Sequence, residues 1–181
     1  MKPYARVLWN AIKLRIHGLR CTKYKVDGIQ LFGWDSKFVF GNGSKISLSE
    51  RISSDGRLTV IVGNDADLEI GKYVYFNERA MISCQKKIEI GYNCKFGPNV
   101  TIIDNDHCFN ANNGVNSGLV STPIIIGKNC WIGSNVVILR GSIIEDNCII
   151  GAGCIIKGTI SKGSIVTQER QQHVKTIETE E

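Results

Sequence analysis

A six-residue repeat runs through most of this 181-residue chain. From residue 126 the sequence divides into IGKNCW, IGSNVV, ILRGSI, IEDNCI, IGAGCI and IKGTIS, and every hexad opens on isoleucine. The period also holds in IGYNCK, FGPNVT and IIDNDH from residue 90, in IGKYVY, FNERAM and ISCQKK from residue 70, and more loosely in ISLSER and ISSDGR from residue 46. A period of six fits neither an amphipathic helix nor the simple alternation of an ordinary strand. It predicts a parallel β-helix, in which three hexads form one coil of a triangular prism.

Two further positions of the hexad support this prediction. The fifth position, which we expect to point inward with room for a small side chain, holds Cys94, Val100, Cys130, Val136, Ser142, Cys148 and Cys154. The fourth position, which we expect at the corners, holds Asn93, Asn99, Asn129, Asn135, Gly141, Asn147 and Gly153. Asn and Gly adopt positive φ at low cost, as a tight corner requires. Four of the seven cysteines are therefore explained by packing, because a buried free cysteine behaves as a small apolar residue.

Composition and charge exclude several classes of function. Seven cysteines, an odd number without CxxC spacing, argue against a disulfide framework and against a structural zinc site. A net charge of +5, with basic residues scattered outside the N-terminal segment, does not indicate a nucleic-acid surface. No apolar run is long enough to cross a bilayer. Asn10, Lys13 and Arg15 interrupt the N-terminal segment too often for a signal peptide, so we expect a cytoplasmic protein.

The sequence predicts three parts: an amphipathic helical segment over residues 1–22, a β-helix domain over 23–167 and a short tail over 168–181. In the helical segment, the apolar residues are Val7, Leu8, Ile12, Leu14, Ile16 and Leu19, and the basic residues are Lys2, Arg6, Lys13, Arg15 and Arg20. We expect this helix to pack on the first coil. The alternative is a peripheral contact with an anionic membrane surface.

The repeat stops after residue 102 and resumes in register at residue 126, with a polar segment between. A loop extruded from a rigid coil, here expected near 107–123, is where a solenoid places functional residues. It begins with His107, which lies between Asp106 and Cys108, and Cys108 is the one cysteine that merits a functional test. The loop has few apolar anchors, so we expect a second subunit to hold it in a closed cyclic oligomer.

These motifs resemble the hexapeptide-repeat acyltransferases, the left-handed β-helix superfamily that includes galactoside, maltose and serine acetyltransferases. Within it the chain most resembles the bacterial O-acetyltransferases of capsule and exopolysaccharide assembly. The resemblance covers residues 68–167, and its most specific segments are CWIGSNVVILRGSIIEDNCIIGAGCIIKG from residue 130 and NVTIIDNDH from residue 99. It implies an all-β, left-handed parallel β-helix, a homotrimer, and acetyl-CoA as the acyl donor in the groove between adjacent prisms, with no metal.

Residue by residue, the resemblance assigns His107 as the catalytic base. An imidazole suits the removal of a hydroxyl proton as an alcohol attacks a thioester. Asp104 or Asp106 would orient the ring, with Asp104 slightly favoured. Asn77 matches an acceptor-site asparagine, although it also fits a hexad corner. Gln85 stands where the galactoside enzymes have an acidic acceptor contact, which argues against simple galactosides as substrates.

The resemblance also assigns an acetyl-CoA site. Small residues would let the pantetheine arm run along the coil edge, beside an indole that walls the thioester channel. Lysine and arginine side chains near the end of the chain are candidates for the CoA phosphates. The assigned residues are Trp131, Gly133, Ser134, Gly151, Ala152, Lys157, Arg170 and Lys175.

The predicted function is acetyl-CoA-dependent O-acetylation of a carbohydrate hydroxyl in capsule, exopolysaccharide or lipopolysaccharide biosynthesis. Transfer would be direct, in the cytoplasm or at the inner membrane face. Two alternatives stay open: an N-acyltransferase for an amino sugar, which needs the same base, and a non-catalytic β-helical binding scaffold. A zinc carbonic anhydrase on a similar prism needs three histidine ligands, and only His107 lies in the repeat region.

Overall fold

The hexads form three parallel sheets, which are the faces of a prism of about six turns. The computed structural model describes residues 3–169. Face 1 contains β1 (Lys23–Val26), β3 (Lys45–Leu48), β6 (Asp67–Ile70), β9 (Lys87–Ile90), β14 (Ile124–Ile126), β17 (Ile143–Ile144) and β20 (Thr159–Ile160). Face 2 contains β4 (Ser53–Ser54), β7 (Tyr75–Phe76), β10 (Lys95–Phe96), β15 (Trp131–Ile132), β18 (Ile149–Ile150) and β21 (Ile165–Val166). Face 3 contains β2 (Lys37–Phe40), β5 (Leu58–Val62), β8 (Ala80–Cys84), β11 (Thr101–Ile103), β16 (Val137–Leu139) and β19 (Ile155–Ile156).

Two elements lie outside the faces. Helix α1 (Pro3–Gly18) precedes the first coil, and strands β12 (Asn105–Asn110) and β13 (Gly114–Ser121) pair as an antiparallel hairpin between β11 and β14. The predicted all-β parallel β-helix with one short N-terminal helix is confirmed.

The core is a set of side-chain columns along the prism axis. Ile90, Ile126 and Ile144 are in register on successive strands of face 1, and all three are buried. The fifth-position residues predicted to point inward, from Cys94 to Cys154, are each at most 1% exposed. Burying one of the isoleucine side chains stabilises the fold by about 1.5–3 kcal/mol, so the interior columns are the main source of stability.

Positive φ marks the corners, as the fourth hexad position predicts. The five asparagines have φ between 56° and 61°, and Gly141 and Gly153 have φ of 78° and 75°. The corner asparagines also bond from coil to coil, since Asn93 Nδ2 donates to Asn129 Oδ1 at 3.0 Å and Asn129 Nδ2 donates to Asn147 Oδ1 at 3.1 Å. Each corner therefore combines a backbone requirement with a side-chain ladder.

The first coils differ from the sequence-based prediction in their phase. Leu48 pairs with Ile70 and Ser54 pairs with Phe76, so the hexads predicted to open at Ile46 and Ile52 are displaced by two residues. The reason is a longer coil with different corner residues. Non-glycine residues with positive φ in this region include Arg51, Asp65, Tyr73 and Arg79, which carry no Asn or Gly signal.

Helix α1 packs on the first coil through a side that mixes polar and apolar residues, and Trp9 stacks on Trp34. Leu14 and Asn10 are buried, and Asn10 Nδ2 donates to the Phe32 carbonyl at 2.9 Å. Lys13 Nζ donates to the carbonyls of Trp34 at 3.0 Å and Ser36 at 2.9 Å. Most of the apolar residues predicted for this helix instead face away from the prism. Within residues 3–169, no helix is long and apolar enough to cross a membrane.

Candidate active site

Most of the assigned residues that the structure describes lie on two different edges of the prism. The hairpin edge, where face 3 meets face 1, contains Gln85, Asp104, Asp106, His107 and Lys157. The glycine edge, where face 2 meets face 3, contains Asn77, Gly133, Ser134, Gly151 and Ala152. Trp131 lies on face 2. Within residues 3–169, one chain therefore separates the assigned base from the assigned cofactor residues of the glycine edge.

The polar segment after Ile102 is an ordered hairpin. Asn105 pairs with Ser121 and His107 pairs with Leu119, with an irregularity in register between His107 and Phe109. At the tip, Asn110 Oδ1 accepts hydrogen bonds from the backbone amides of residues 112 and 113 at 3.1 and 2.8 Å. The hairpin therefore satisfies much of its backbone hydrogen bonding within the chain.

His107 is exposed beside a shallow depression of about 170 Å³. The depression is lined by Asp106, His107, Cys108, Phe109, Val120 and Arg140. Within residues 3–169 the imidazole makes no hydrogen bond or ion pair, so both ring nitrogens are available to a substrate. The walls combine apolar and cationic groups, which suits a polar molecule with an apolar part.

Asp104 does not contact His107, contrary to the slight preference from the sequence. Its carboxylate is buried and accepts hydrogen bonds from the backbone amides of Gln85 at 2.7 Å, Lys86 at 2.7 Å and Lys87 at 2.9 Å. Asn105 Nδ2 donates to it as well, at 3.1 Å. With both oxygens engaged, Asp104 fixes the corner from which the hairpin leaves the coil.

Asp106 is paired with Arg140 rather than with His107. Its carboxylate accepts a hydrogen bond from Arg140 Nε, and the Arg140 guanidinium also donates to Thr122 Oγ1 at 3.4 Å. This pair joins the first hairpin strand to the next coil. Sequence reasoning missed Arg140, although it is the one arginine between residues 126 and 158.

Asn77 and Gln85 have roles within the corners of the prism. Asn77 Oδ1 accepts from the backbone amide of Glu78 at 2.8 Å, as a corner residue does. The Gln85 side chain packs against Gly63 on the preceding coil. Asn77 and His107 are separated by the width of face 3, and β8 alone spans about 13 Å at about 3.3 Å per residue.

At the glycine edge the backbones of successive coils are in close contact. A Cβ at Gly133 would lie 2.7 Å from the backbone nitrogen of Ala152, so the glycine is required by coil stacking whether or not a ligand binds. Gly133 is buried, Ser134 is half-buried and Ala152 is exposed. The Trp131 indole, 58% exposed, flanks the edge on face 2. The edge thus offers a strip of small side chains beside an aromatic surface.

Of the assigned cations, Lys157 does not join this strip. Lys157 is exposed on the hairpin edge, one coil beyond Leu139. Arg170 and Lys175 lie outside the described residues. Among residues 3–169, no group of three or more His, Cys, Asp or Glu side chains is placed to hold a metal ion.

Most of the thiols are buried in the prism. Five of the seven cysteines are buried, and Cys21 and Cys108 are partly exposed. Burial, together with the negative charge of nearby Asp104, raises the pKa of the Cys84 thiol, so it stays protonated. Cys108 lines the depression beside His107, which makes it the one thiol near the candidate base.

Comparison with known proteins identifies the repeat. Residues 123–158 match the family described as bacterial transferase hexapeptide (six repeats). These residues therefore carry the hexapeptide repeat that this family of bacterial transferases is described by. The matched segment contains Trp131, Gly133 and Ala152, and it ends one residue after Lys157.

Relatives of this hexapeptide-repeat chain include named acetyltransferases. It is 40% identical over 91 residues to the galactoside O-acetyltransferase of Escherichia coli K12, a match that covers 50% of this chain and 45% of that protein. It is 23% identical over 141 residues to a putative lipopolysaccharide biosynthesis O-acetyltransferase of the same strain, covering 73% of this chain and 68% of that one. The chain therefore spans about half the length of the galactoside enzyme that it matches.

Solved structures support the fold. A hexapeptide-repeat acetyltransferase from Vibrio cholerae, solved in complex with acetyl coenzyme A, aligns with a TM-score of 0.57. The two chains are 15% identical, and the alignment covers 86% of this chain and 71% of the other.

Proposed function

We propose that this protein is an acetyl-CoA-dependent O-acetyltransferase that modifies a carbohydrate hydroxyl. The observation that carries the proposal is the exposed, unpaired imidazole of His107, placed at the start of an ordered hairpin beside Arg140. The similarity to named sugar O-acetyltransferases supports the reaction class. This reaction would serve capsule, exopolysaccharide or lipopolysaccharide biosynthesis.

His107 is the general base in this proposal. The imidazole takes the proton of the acceptor hydroxyl as the hydroxyl oxygen forms the ester bond to the acetyl carbon. The carbon–sulfur bond breaks, and the imidazolium returns the proton to the departing thiolate. Neither Asp104 nor Asp106 assists through a direct contact, because each has other partners. The Arg140 guanidinium at the depression stabilises negative charge that develops there.

The glycine edge is the proposed site for acetyl-CoA, which supplies the acetyl group as an activated thioester when bound. The residues present fit this molecule, since Ser134 and Ala152 leave room for a narrow pantetheine arm and the exposed Trp131 indole offers an apolar wall. Gly133 and Gly151 contribute to this site because, without side chains, they allow successive coils to pack closely along the edge.

The active unit is proposed to be a homotrimer. His107 and the glycine edge lie on different edges of one prism, and a neighbouring copy can place its glycine edge against the hairpin edge. In such an assembly Asn77 of one chain also approaches His107 of the next. A cyclic trimer forms three equivalent sites in this way.

The proposed acceptor is a saccharide or a lipid-linked glycan, modified in the cytoplasm at the inner membrane face. Gln85 lies at the hairpin edge with its side chain over Gly63, so its amide would contact an acceptor only by moving. An amino sugar is the second candidate acceptor, because N-acylation uses the same base.

Release of CoA thiol from acetyl-CoA over a panel of mono- and oligosaccharides tests the proposal. We expect sugar-dependent release, lowered about 10²- to 10⁴-fold by His107→Ala while CoA binding is unchanged. His17→Ala, which removes an imidazole that packs against Phe40 far from the hairpin, is the matched control and should retain activity. Absence of release with every sugar, together with absence of CoA binding by calorimetry, would leave a non-catalytic scaffold.

A further inference from the structure

Helix α1 turns its apolar side away from the prism. Tyr4, Leu8, Ile12 and Ile16 are between 43% and 86% exposed. At 100° per residue these four positions fall within an arc of about 120° on the helix, and the exposed Leu19 follows in the turn after the helix. The opposite side, with Asn10, Lys13 and Leu14, is the one that bonds to and packs on the first coil. A helix with this pattern has an unpartnered apolar face.

The charge distribution indicates what covers that face. Residues 1–26 contain seven of the 22 Lys and Arg residues and none of the 17 Asp and Glu residues. The rest of the chain therefore carries a small net negative charge. Arg15 is exposed within the arc of the apolar positions, Arg20 is exposed in the turn after the helix, and Lys23 is exposed at the start of β1. The N-terminal end of the prism is thus both apolar and strongly cationic.

This combination disfavours a second copy of the chain as the occupant. Two such faces in contact would bring together the exposed Arg15, Arg20 and Lys23 of both copies, and residues 1–26 contain no carboxylate to compensate them. An anionic lipid surface satisfies both properties, since the apolar arc enters the boundary between headgroups and acyl chains while the cations meet lipid phosphates.

We propose that α1 lies in the surface of an anionic bilayer and holds the prism upright, with its axis perpendicular to that surface. The helix crosses the first coil, where it bonds to the carbonyls of Phe32, Trp34 and Ser36, so its free side faces along the prism axis. All coils then project away from the lipid. In a trimer with parallel prisms the three helices face the same way, and they bind the membrane with combined avidity.

The upright orientation sets the height of the candidate site. On face 3, β11 lies three strands beyond β2, which is about 14 Å at about 4.8 Å per strand. The helix adds about 10 Å, so His107 stands about 25 Å above the lipid surface. This part of the inference rests on the proposed function: the site would meet the sugar portion of a lipid-linked glycan, several units from its lipid, rather than the first sugar.

Flotation of the full-length protein with vesicles tests the membrane contact. We expect binding to phosphatidylcholine vesicles that contain phosphatidylglycerol, little binding to pure phosphatidylcholine, and a decrease as salt rises. The double variant Leu8→Glu with Ile12→Glu should weaken binding about tenfold or more. Ile143→Glu on face 1, where the native side chain is 39% exposed against 43% for Ile12, is the matched control and should bind like the unaltered protein.

Two results would overturn the membrane inference. One is equal binding of the double variant and the unaltered protein, or no binding of either to the anionic vesicles. The other is a smaller oligomer for the double variant in sedimentation velocity, which would assign the face to contacts between copies. Acetyl transfer to a soluble sugar, measured on the same proteins, is expected to be unchanged. Vesicle binding without any such activity would reject the proposed enzyme and leave the membrane contact standing.

Discussion

At the scale of the residue, the corner asparagines combine two properties that few side chains share. Asn147 has φ of 61°, and its Oδ1 accepts from Asn129 Nδ2 across the coils. The backbone property dominates, because a residue with a Cβ in the left-handed region loses about 1–2 kcal/mol unless its side chain compensates. Glycine has no such cost, so it replaces asparagine at 141 and 153 in the same repeat.

At position 147 glycine should stabilise the fold more than alanine, which is the reverse of their order inside helices and strands. Asn147→Ala and Asn147→Gly both remove the ladder hydrogen bond, so their difference isolates the backbone. We expect the alanine variant to be the less stable by about 1 kcal/mol, which shifts the melting temperature by about 2–4 °C in a chain of this size. Thermal unfolding followed by circular dichroism measures the difference. An alanine variant as stable as the glycine variant would remove the strain argument.

At the scale of the element, the hairpin depends on a buried carboxylate at its base. The Asp104 carboxylate accepts hydrogen bonds from the backbone amides of residues 85 to 87 and thereby fixes the direction in which β12 leaves the prism. The pair of Asp106 with Arg140 adds a second, more exposed attachment to the following coil. His107 lies between these two attachments and the tip, so its position follows from them.

Asp104→Asn is therefore expected to act on stability rather than on proton transfer. One oxygen becomes an NH₂ group that faces backbone donors, and the loss of charge-assisted hydrogen bonds should lower the free energy of unfolding by about 2–4 kcal/mol. Asp106→Asn, which weakens a half-exposed ion pair, should cost less than about 1 kcal/mol. Denaturant unfolding of both variants gives the comparison. An Asp104→Asn protein with unchanged stability and lost activity would return Asp104 to the role of a partner for His107.

The elements differ in how far the sequence predicts them. The prism follows from local features: an isoleucine every six residues, a small inward residue such as Cys130, and a corner asparagine such as Asn129. The hairpin does not follow from local features. Its two strands, in which Asn105 pairs with Ser121, show no regular alternation of apolar and polar residues, and the Asp106–Arg140 ion pair joins residues 34 apart in the sequence. The exposed side of α1 also escaped prediction, since an apolar stripe alone does not tell which side of a helix a polar coil will bind.

At the scale of the whole molecule, the candidate site is divided between two edges of one prism. His107 lies on the hairpin edge, and Ala152 with Ser134 lies on the glycine edge, with face 3 between them. A rigid solenoid cannot fold these edges together, because each is fixed by the same stack of coils. The proposed reaction therefore needs two copies of the chain, and each half of the site can be disabled separately.

Complementation between two inactive variants tests this account most directly. His107→Ala removes the base, and Ala152→Trp blocks the exposed strip of the glycine edge without entering the core. Each variant alone should be inactive in acetyl-CoA thiol release. Co-expressed in equal amounts, they should recover about a quarter of the unaltered activity, because a base from one chain meets an open glycine edge on the next in one interface of four. A mixture no more active than the two variants measured separately would contradict a site shared between neighbouring chains.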